Sequence, residues 1–171
     1  MKLAVVLGVV MFTAATASAQ AINDAQIAAI VVTANQVDID AGKVAEANGS
    51  TKDVKEFGMQ MVAAHSGVNK SAVDLVTRLK VTPQESDTSK ALKQGGDQNV
   101  AHLKTLTGRA FDRAYIEHEV AYHQQVLEAI DKTLIPGANN AQLKDLLVKV
   151  RPAIAAHLEH AKMVQAQLAA E

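Results

Sequence analysis

The sequence predicts an all-α fold, and three observations support this prediction. Apolar residues recur three and four positions apart over four long segments, which is the spacing of helices with one buried face. The composition is rich in Ala, Val, Leu, Gln and Lys, which suits helices. Turn signals separate the four segments, and no segment gives a credible strand. We therefore expect a bundle of four long helices.

The first nineteen residues have the pattern of a secretory signal peptide. Lys2 supplies a positive charge, an apolar run follows, and small residues ending at Ala19 form a cleavage site. The run is shorter than the roughly 20 residues that span a bilayer, and no later segment comes close to that length. No integral membrane segment is therefore expected after cleavage. The mature domain, residues 20–171, is expected to be periplasmic or secreted. A retained N-terminal anchor is the alternative.

Composition limits the kinds of site and of binding partner that the chain can have. The chain has no cysteine, which excludes a lipid-modified cysteine, disulfides and thiolate metal sites. Of 17 basic residues, loss of Lys2 leaves 16 against 18 acidic ones, a net charge of about −2 without blocks of either sign. Nucleic acid is not expected as a partner, because its interfaces need a basic face and aromatic side chains. Protein partners are not defined by the sequence, and a homo-oligomer stays open.

Capping residues divide the first half of the domain into two helices. The first helix is predicted over residues 24–47, with Asp24 as its N-cap and an Asn-Gly pair at its end. The second helix is predicted to begin after a cap at Ser50 or Thr51 and to continue to about residue 80. The short connection makes the two helices antiparallel neighbours.

The segment from residue 81 to 108 differs from the predicted long helices in composition and in apolar pattern. It is polar, contains Gly95 and Gly96, and has only a weak apolar pattern, so it is predicted to be a linker holding one or two short helices. Its length suffices to cross a helix of 26 residues, which is about 39 Å long. A long crossover between the second and third helices is typical of ferritin-like bundles. The alternative is a linker that doubles back.

Two more long helices are predicted in the second half. The third covers residues 109–134 and is expected to stop at Pro136. The fourth is capped by Asn139 or Asn140 and continues to about residue 169. Pro152 lies inside it and is expected to kink it, because proline removes one backbone donor and crowds the preceding turn.

Each of the four helices carries one polar residue in its otherwise apolar seam. The exceptions are Asp38, His65, His123 and His157, in chain order. Each lies within three positions of the midpoint of its helix, which is about 4.5 Å along the axis. Mid-helix residues of a bundle share one layer, whatever the direction of each helix. These side chains are therefore predicted to converge, and Glu119 lies one turn before His123 and can reach the same place.

A buried polar layer needs partners. Each unpaired polar group costs roughly 1–3 kcal/mol, and an unpaired charge costs more. One divalent metal ion satisfies imidazoles and a carboxylate together, and zinc, iron, manganese and copper all accept such ligands; no organic cofactor is indicated. The alternative is a self-satisfied network in which Asp38 accepts from an imidazole and water fills the gaps. A second apolar stripe of the third helix, through Tyr115, Tyr122 and Val126, competes as its core face.

Other polar side chains are given less specific roles. His102, His118 and His160 are interpreted as surface residues. Asp112 lies in the first turn of the third helix, where the helix dipole accounts for it. The two tyrosines are expected to be core residues whose hydroxyls reach water.

Several segments together resemble a known family. The chain is similar to the exported bacterial family called domain of unknown function 4142, which is grouped with the ferritin-like superfamily. The resemblance covers nearly the whole mature chain and implies a ferritin-like bundle without an established activity. It rests on residues 38–45, on residues 61–65, on residues 111–115 followed by His123, and on Pro152 followed by His157.

Two departures qualify what the resemblance implies. The family pattern has Glu at the position of Asp38 and Asp at that of Ala64. Ferritin-like oxidases use Glu-x-x-His on two helices, whereas Val62 and Ile154 stand where those glutamates would precede histidine. A single ion is therefore favoured over a metal pair. The alternative function is a non-catalytic envelope or stress-related interaction protein whose polar layer fixes helix register. Whether the protein is an enzyme stays open.

Overall fold

The computed structural model describes residues 22–170, and all regular structure within this range is helical. The all-α prediction is therefore confirmed for this part of the chain. The predicted signal peptide, residues 1–19, lies outside the described residues. Across the described range, none of the helices combines the length and the apolar character that a membrane span needs.

Four long helices and one of intermediate length form the fold, and a π-helical turn, Ile130–Leu134, connects two of the elements. The α-helices are α1 Asp24–Asn48, α2 Lys52–Leu79, α3 Asp87–Leu103, α4 Gly108–Ala129, the single turn α5 Ile135–Gly137, and α6 Ala141–Ala170.

The residue that caps the start of α1 is Asn23 and not, as predicted, Asp24. Asn23 is the N-cap: its side chain accepts from the backbone N–H of Gln26, and the Gln26 side chain accepts from that of Asn23. This reciprocal pair is a capping box. The carboxylate of Asp24 instead accepts from the backbone N–H groups of Asn139 and Asn140, at 2.8 and 3.0 Å. Asp24 therefore ties the start of α1 to the start of α6.

Helices α1 and α2 approach backbone to backbone. Thr51 caps α2, as predicted, by accepting from the backbone N–H of Val54. A Cβ atom added to Gly42 would lie 2.9 Å from the carbonyl oxygen of Gly58, and one added to Gly58 would lie 2.8 Å from that of Gly42. Only glycine allows this separation, which brings the C-terminal part of α1 close to the N-terminal part of α2.

The predicted linker contains one helix of 17 residues, α3, which packs mainly against α1. Ser86 and Ser89 form its capping box. Gly96 does not break the helix, because it is buried where a Cβ atom would lie 2.6 Å from the side chain of Val37. Glycine thus serves here as a contact residue between two helices.

Helix α4 begins close to the predicted residue but ends differently. Its hydrogen bonding changes to the π pattern over Ile130–Leu134, and the chain stays helical through Pro136 to Gly137. The helical structure therefore ends at Gly137, within the Pro136-Gly137 pair that was predicted to stop it, and about three residues after the predicted last residue, 134. The widened turn lies where Pro136 lacks a backbone donor and crowds the preceding carbonyls.

Helix α6 is capped by the second of the two predicted asparagines. The side-chain oxygen of Asn140 accepts from the backbone N–H groups of Gln142 and Leu143, at 2.9 and 3.2 Å. The backbone then stays helical through Pro152 to Ala170.

The core of the described residues consists of two clusters at opposite ends of the long helices. The Phe57 cluster includes Phe57, Met61, Leu103, Phe111, Tyr115, Ile116 and Leu168, and the Leu147 cluster includes Ile27, Ile30, Leu75, Ile130, Leu134, Leu147 and Ile154. Along the chain, α1 and α6 pass the Leu147 cluster first, whereas α2 and α4 pass the Phe57 cluster first. Helices α1 and α6 therefore run in one direction, and α2 and α4 run in the opposite direction.

Candidate metal centre

All five predicted site residues lie in one buried layer between the two clusters. The apolar positions of the four predicted seams are all buried or half-buried, so the helical registers inferred from the sequence are confirmed. These positions are Ile27, Val31, Ala34, Ala41 and Ala45 in the first helix, Val54, Gly58, Met61, Val68, Ala72, Leu75 and Leu79 in the second, Ile116, Val120, Leu127, Ile130 and Leu134 in the third, and Leu143, Leu147, Val150, Ile154, Ala161, Val164 and Leu168 in the fourth. The layer consists of Asp38, His65, Glu119, His123 and His157, whose exposed fractions are 1%, 4%, 1%, 0% and 6%.

The two competing faces of α4 are both buried. Tyr115 and Tyr122 from one stripe are enclosed, and so are Ile116 and His123 from the other. Helix α4 contacts α6, α1 and α3, which explains why it buries a face wider than one seam. Both stripes therefore belong to the buried face of α4.

The ligand atoms of the layer lie close together. Oδ2 of Asp38 is 3.1 Å from Nε2 of His65 and 3.4 Å from Nε2 of His123. The rings of His65, His123 and His157 have centroids 5.2 to 5.7 Å apart. Two groups of donor atoms, each within 4.8 Å of one another, share His123. One is His65, His123 and His157, and the other is Asp38, Glu119 and His123.

The protonation of His65 follows from its neighbours. Asn35 donates its amide N–H to the carbonyl oxygen of Val31 at 2.7 Å, which fixes the orientation of the amide, because a carbonyl can only accept. The amide oxygen of Asn35 therefore faces Nδ1 of His65 at 2.8 Å, and Nδ1 donates to it. A neutral imidazole with a proton on Nδ1 has a lone pair on Nε2, which here points towards Asp38.

His123 is held in the same tautomer by a different partner. Its Nδ1 lies 3.0 Å from the backbone carbonyl oxygen of Glu119, to which it donates. Its Nε2 therefore presents a lone pair to Asp38. Metal-binding histidines are oriented in this way, with one nitrogen donating to a carbonyl or amide and the other left for the ion.

Polar atoms without a hydrogen-bond partner concentrate in this layer. Among the described residues, most buried side-chain N and O atoms that make no hydrogen bond belong to it. Each would cost about 1–3 kcal/mol if left unpaired, so the layer calls for a shared partner. These atoms are both carboxylate oxygens of Asp38, Nε2 of His65, Nε2 of His123, Oε2 of Glu119 and Nδ1 of His157.

Burial also shifts the proton affinities of these groups. It raises the pKa of Asp38 from 3.8 to about 8. Burial, reinforced by the neighbouring imidazoles, lowers the pKa of His65 from 6.5 to about 3, and burial lowers that of His123 to about 4. Burial and the charge of Asp38 raise the pKa of Glu119 well above its usual value. Burial disfavours every charged form, whereas a divalent cation would favour the ionised carboxylate and neutral imidazoles.

The remaining histidines lie outside the layer. His102 is exposed, as predicted, whereas His118 and His160 are half-buried, so the surface interpretation of these two is only partly correct. The ring of His118 stacks on that of Tyr122. Nδ1 of His160 is paired with the side-chain oxygen of Gln60 at 2.9 Å.

Two polar residues have roles that the sequence did not indicate. Asn35 orients His65 and was missed, although it is a polar residue three positions before Asp38 on the inward side of α1. The interpretation of Asp112 as a partner of its own helix is wrong. Its buried carboxylate accepts from the backbone N–H groups of Ser50 and Thr51, at 2.8 and 3.0 Å, and from the Ser50 hydroxyl. Asp112 therefore binds the N-terminus of α2.

The tyrosine hydroxyls do not reach water as expected. The Tyr115 hydroxyl is buried without a hydrogen-bond partner, and that of Tyr122 donates to the carbonyl oxygen of Ala34 at 2.8 Å. Both tyrosines are among the buried residues of α4.

Comparisons with known proteins identify a family but no individual relative. A search among curated proteins and a search among solved structures each found no match. The family described as Domain of unknown function (DUF4142) matches residues 10–164, in agreement with the resemblance seen in the sequence. The chain therefore belongs to the DUF4142 family, whose description assigns no activity.

Proposed function

We propose that the chain is an exported, ferritin-like helical protein that holds one divalent metal ion in its buried polar layer. Asp38, His65, His123 and His157 are the ligands. Glu119 has a supporting role, because its Oε2 lies 3.4 Å from Nδ1 of His123, the nitrogen that faces away from Asp38. The ion is zinc, iron, manganese or copper. A redox role would follow only for iron, manganese or copper with an open coordination position.

The observation that carries this proposal is the pair of imidazole lone pairs facing one carboxylate oxygen. Ligand atoms about 2.0–2.1 Å from a tetrahedral ion are about 3.3 Å from one another. The distances from Oδ2 of Asp38 to Nε2 of His65 and of His123, 3.1 and 3.4 Å, match that separation. A proton on Oδ2 can satisfy only one of these two nitrogens, whereas one cation satisfies both.

The ligand set supports one ion rather than two. A carboxylate-bridged pair needs several acidic ligands, including Glu-x-x-His on two helices. Val62 and Ile154 occupy those glutamate positions before His65 and His157. The layer offers three imidazoles close together, and Asp38 faces two of them, which suits a single nitrogen-rich site.

The helix directions support the ferritin-like part of the proposal. Helices α1 and α2 run in opposite directions, α4 runs parallel to α2, and α6 returns. Two antiparallel pairs joined by a long crossover have this order. Here the crossover is the segment that contains α3.

A second candidate function has one observation in its favour. Burial raises the pKa of Asp38 to about 8, so a protonated Asp38 can donate to Nε2 of His65 across 3.1 Å. The layer would then be neutral without a metal and would fix the register of the helices. In that case the protein is a non-catalytic envelope or stress-related interaction protein.

Metal analysis distinguishes the two functions. We expect the chain, purified without an affinity tag, to contain about one ion per molecule by elemental analysis and to melt at a higher temperature with the ion than after chelation. The variants His65→Ala and His123→Ala should lose the ion. His102→Ala, which replaces an exposed histidine, is the matched control. Metal well below one per chain, with no thermal stabilisation by zinc, manganese or iron, would establish the structural alternative.

Export has its own test. Expression of the full chain in a two-membrane bacterium, followed by fractionation and intact-mass measurement, should give a periplasmic product that begins at Gln20. A product that retains residues 1–19 and sediments with membranes would replace the cleaved signal peptide with a retained anchor.

A further inference from the structure

An apolar cavity of about 280 Å³ adjoins the polar layer on the side of the Leu147 cluster. Asp38, His65 and His123 line its inner end, and Leu134 and Leu147 are among the apolar side chains of its wall. Exposed side chains, including those of Thr88, Gln125 and Thr133, also line it, so the cavity reaches the surface. A path therefore connects solvent with the candidate metal centre.

The π-helical turn is part of the cavity wall. Ile130, Thr133 and Leu134 all lie in this turn and line the cavity. A π turn adds a residue to one helical turn, and such turns occur frequently at functional sites. Other apolar wall residues, such as Leu92 and Val150, are half-buried. The sequence thus keeps one half of the core open beside the metal ligands.

We propose that this cavity binds an unbranched medium-chain carboxylic acid, with its alkyl chain along the apolar wall and its carboxylate at the metal ion. The position of the carboxylate rests on the proposed function, whereas the binding of the chain does not.

The size of the cavity sets the length of the chain. An apolar cavity of about 150 Å³ admits benzene, with its six carbons. A volume of 280 Å³ is nearly twice as large and corresponds to about ten carbons. A polar end of the ligand fits the inner end, because Asp38, His65 and His123 provide the charged and ring-nitrogen groups of the lining.

The charge of the site selects the head group. A divalent ion bound by Asp38 and by neutral imidazoles leaves one positive charge over the ion and these ligands, whose side chains are buried at the inner end of the cavity. An uncompensated buried charge is unfavourable, and a monoanionic head group at the ion neutralises it. A neutral head group lacks this effect. A carboxylate is therefore expected to bind better than an alcohol of the same length, but only when the ion is present.

Calorimetric titration with decanoate and with 1-decanol, on zinc-loaded and on metal-free protein, tests this arrangement. We expect decanoate to bind the zinc-loaded protein at least tenfold more tightly than the metal-free protein, and 1-decanol to bind both equally. Affinity should rise about fourfold for each added CH₂ from hexanoate to decanoate and stop rising by tetradecanoate. Equal binding of decanoate with and without zinc would overturn the inward position of the head group.

Cavity-filling variants locate the bound chain. Ala129→Phe and, on a different helix, Val150→Phe place a ring at half-buried wall positions and should each weaken decanoate at least tenfold while zinc content stays the same. Ala121→Phe, exposed on the same helix as Ala129, is the matched control and should change nothing. Binding that neither filled variant weakens, or that is independent of chain length, would overturn the proposal. If zinc does not bind at all, the proposed function fails. Binding of 1-decanol then decides by itself whether the cavity accommodates an alkyl chain.

Discussion

The two halves of the core are built differently. In the Phe57 cluster the largest side chains, among them Phe57, Phe111 and Tyr115, are completely enclosed. Beside the Leu147 cluster, in contrast, apolar side chains including Leu92 and Val126 line a cavity. The difference indicates that one half supplies rigidity to the polar layer and the other half supplies access to it. Functional regions are often drawn from the less stable parts of a fold.

The largest expected effect compares equal truncations in the two halves. Leu103→Ala in the Phe57 cluster should lower the free energy of unfolding by about 4 kcal/mol, whereas Leu147→Ala should lower it by about 2 kcal/mol. Both leucines are almost fully buried, but Leu147 already borders the cavity, so its truncation loses fewer contacts. Urea denaturation of both variants measures the difference. Equal losses would show that the cavity does not weaken its half of the core.

Removal of the carboxylate that binds the start of α2 should have the next largest effect. Asp112→Ala leaves the backbone N–H groups of Ser50 and Thr51 without their acceptor and should cost about 2–3 kcal/mol in the free energy of unfolding. The control is Asp53→Ala, an exposed residue in the first turn of α2, which should cost less than about 1 kcal/mol. If the two variants unfold at the same denaturant concentration, the contact of Asp112 with α2 is not stabilising.

The polar layer between the halves predicts how stability depends on pH when no metal is bound. Folded Asp38 keeps its proton to a pKa of about 8, against 3.8 in the unfolded chain, so between these values the folded state binds one more proton and stability falls as pH rises. The imidazoles of His65 and His123 act in the opposite direction. Their folded pKa values of about 3 and 4 lie below 6.5, so stability rises with pH up to 6.5.

Metal-free protein should therefore be most stable near pH 6.5. Below that pH the lowered pKa values of His65, His123 and His157 outweigh the raised pKa values of Asp38 and Glu119, and above it only the two carboxyl groups of this set still change protonation. From pH 6.5 to 8 the loss through Asp38 is about 2 kcal/mol. Zinc-loaded protein should not show this alkaline loss, since the ion holds Asp38 in its ionised form. Thermal unfolding across pH, with Asp38→Asn as control, measures both. A loss that persists in Asp38→Asn would assign the effect to another group.

The smallest effect concerns the residue that orients His65. Asn35→Ala removes the acceptor for Nδ1 of His65 and should weaken metal binding about tenfold with little change in fold. Competition with a chelating dye measures the affinity, and Gln36→Ala, an exposed neighbour, is the control. An unchanged affinity in Asn35→Ala would mean that Asn35 serves packing rather than the ion.

The layer could be predicted from sequence because each helix carries one polar residue in an apolar seam. His65 and His157 interrupt regular patterns, and regular patterns reveal which face of a helix is buried. The sequence predicted one or two short helices in the segment from residue 81 to 108 but not the full extent of α3, since its buried positions include Ser89 and Gly96, which give no hydrophobic signal. The small size of Gly96 serves contact with Val37, which a local pattern does not reveal.

Long-range polar contacts and backbone irregularities were beyond prediction from local patterns. The partners of Asp112 lie about sixty positions earlier in the chain, and nothing near Asp112 indicates them. The π turn and the cavity beside it depend on how α4 packs after Pro136 interrupts its hydrogen bonding. Such features follow from tertiary packing, which a single sequence does not encode in short windows.

The contact of Gly42 with Gly58 limits how the proposed metal centre could adjust to ions of different size. Gly42 lies one turn from Asp38 and Gly58 two turns from His65, so main-chain atoms in direct contact restrict the separation between these two proposed ligands. At the proposed centre, an ion with a larger radius would have to be accommodated mainly by displacement of α4 and α6. Discrimination between ions of different size would therefore depend on the freedom of that second helix pair.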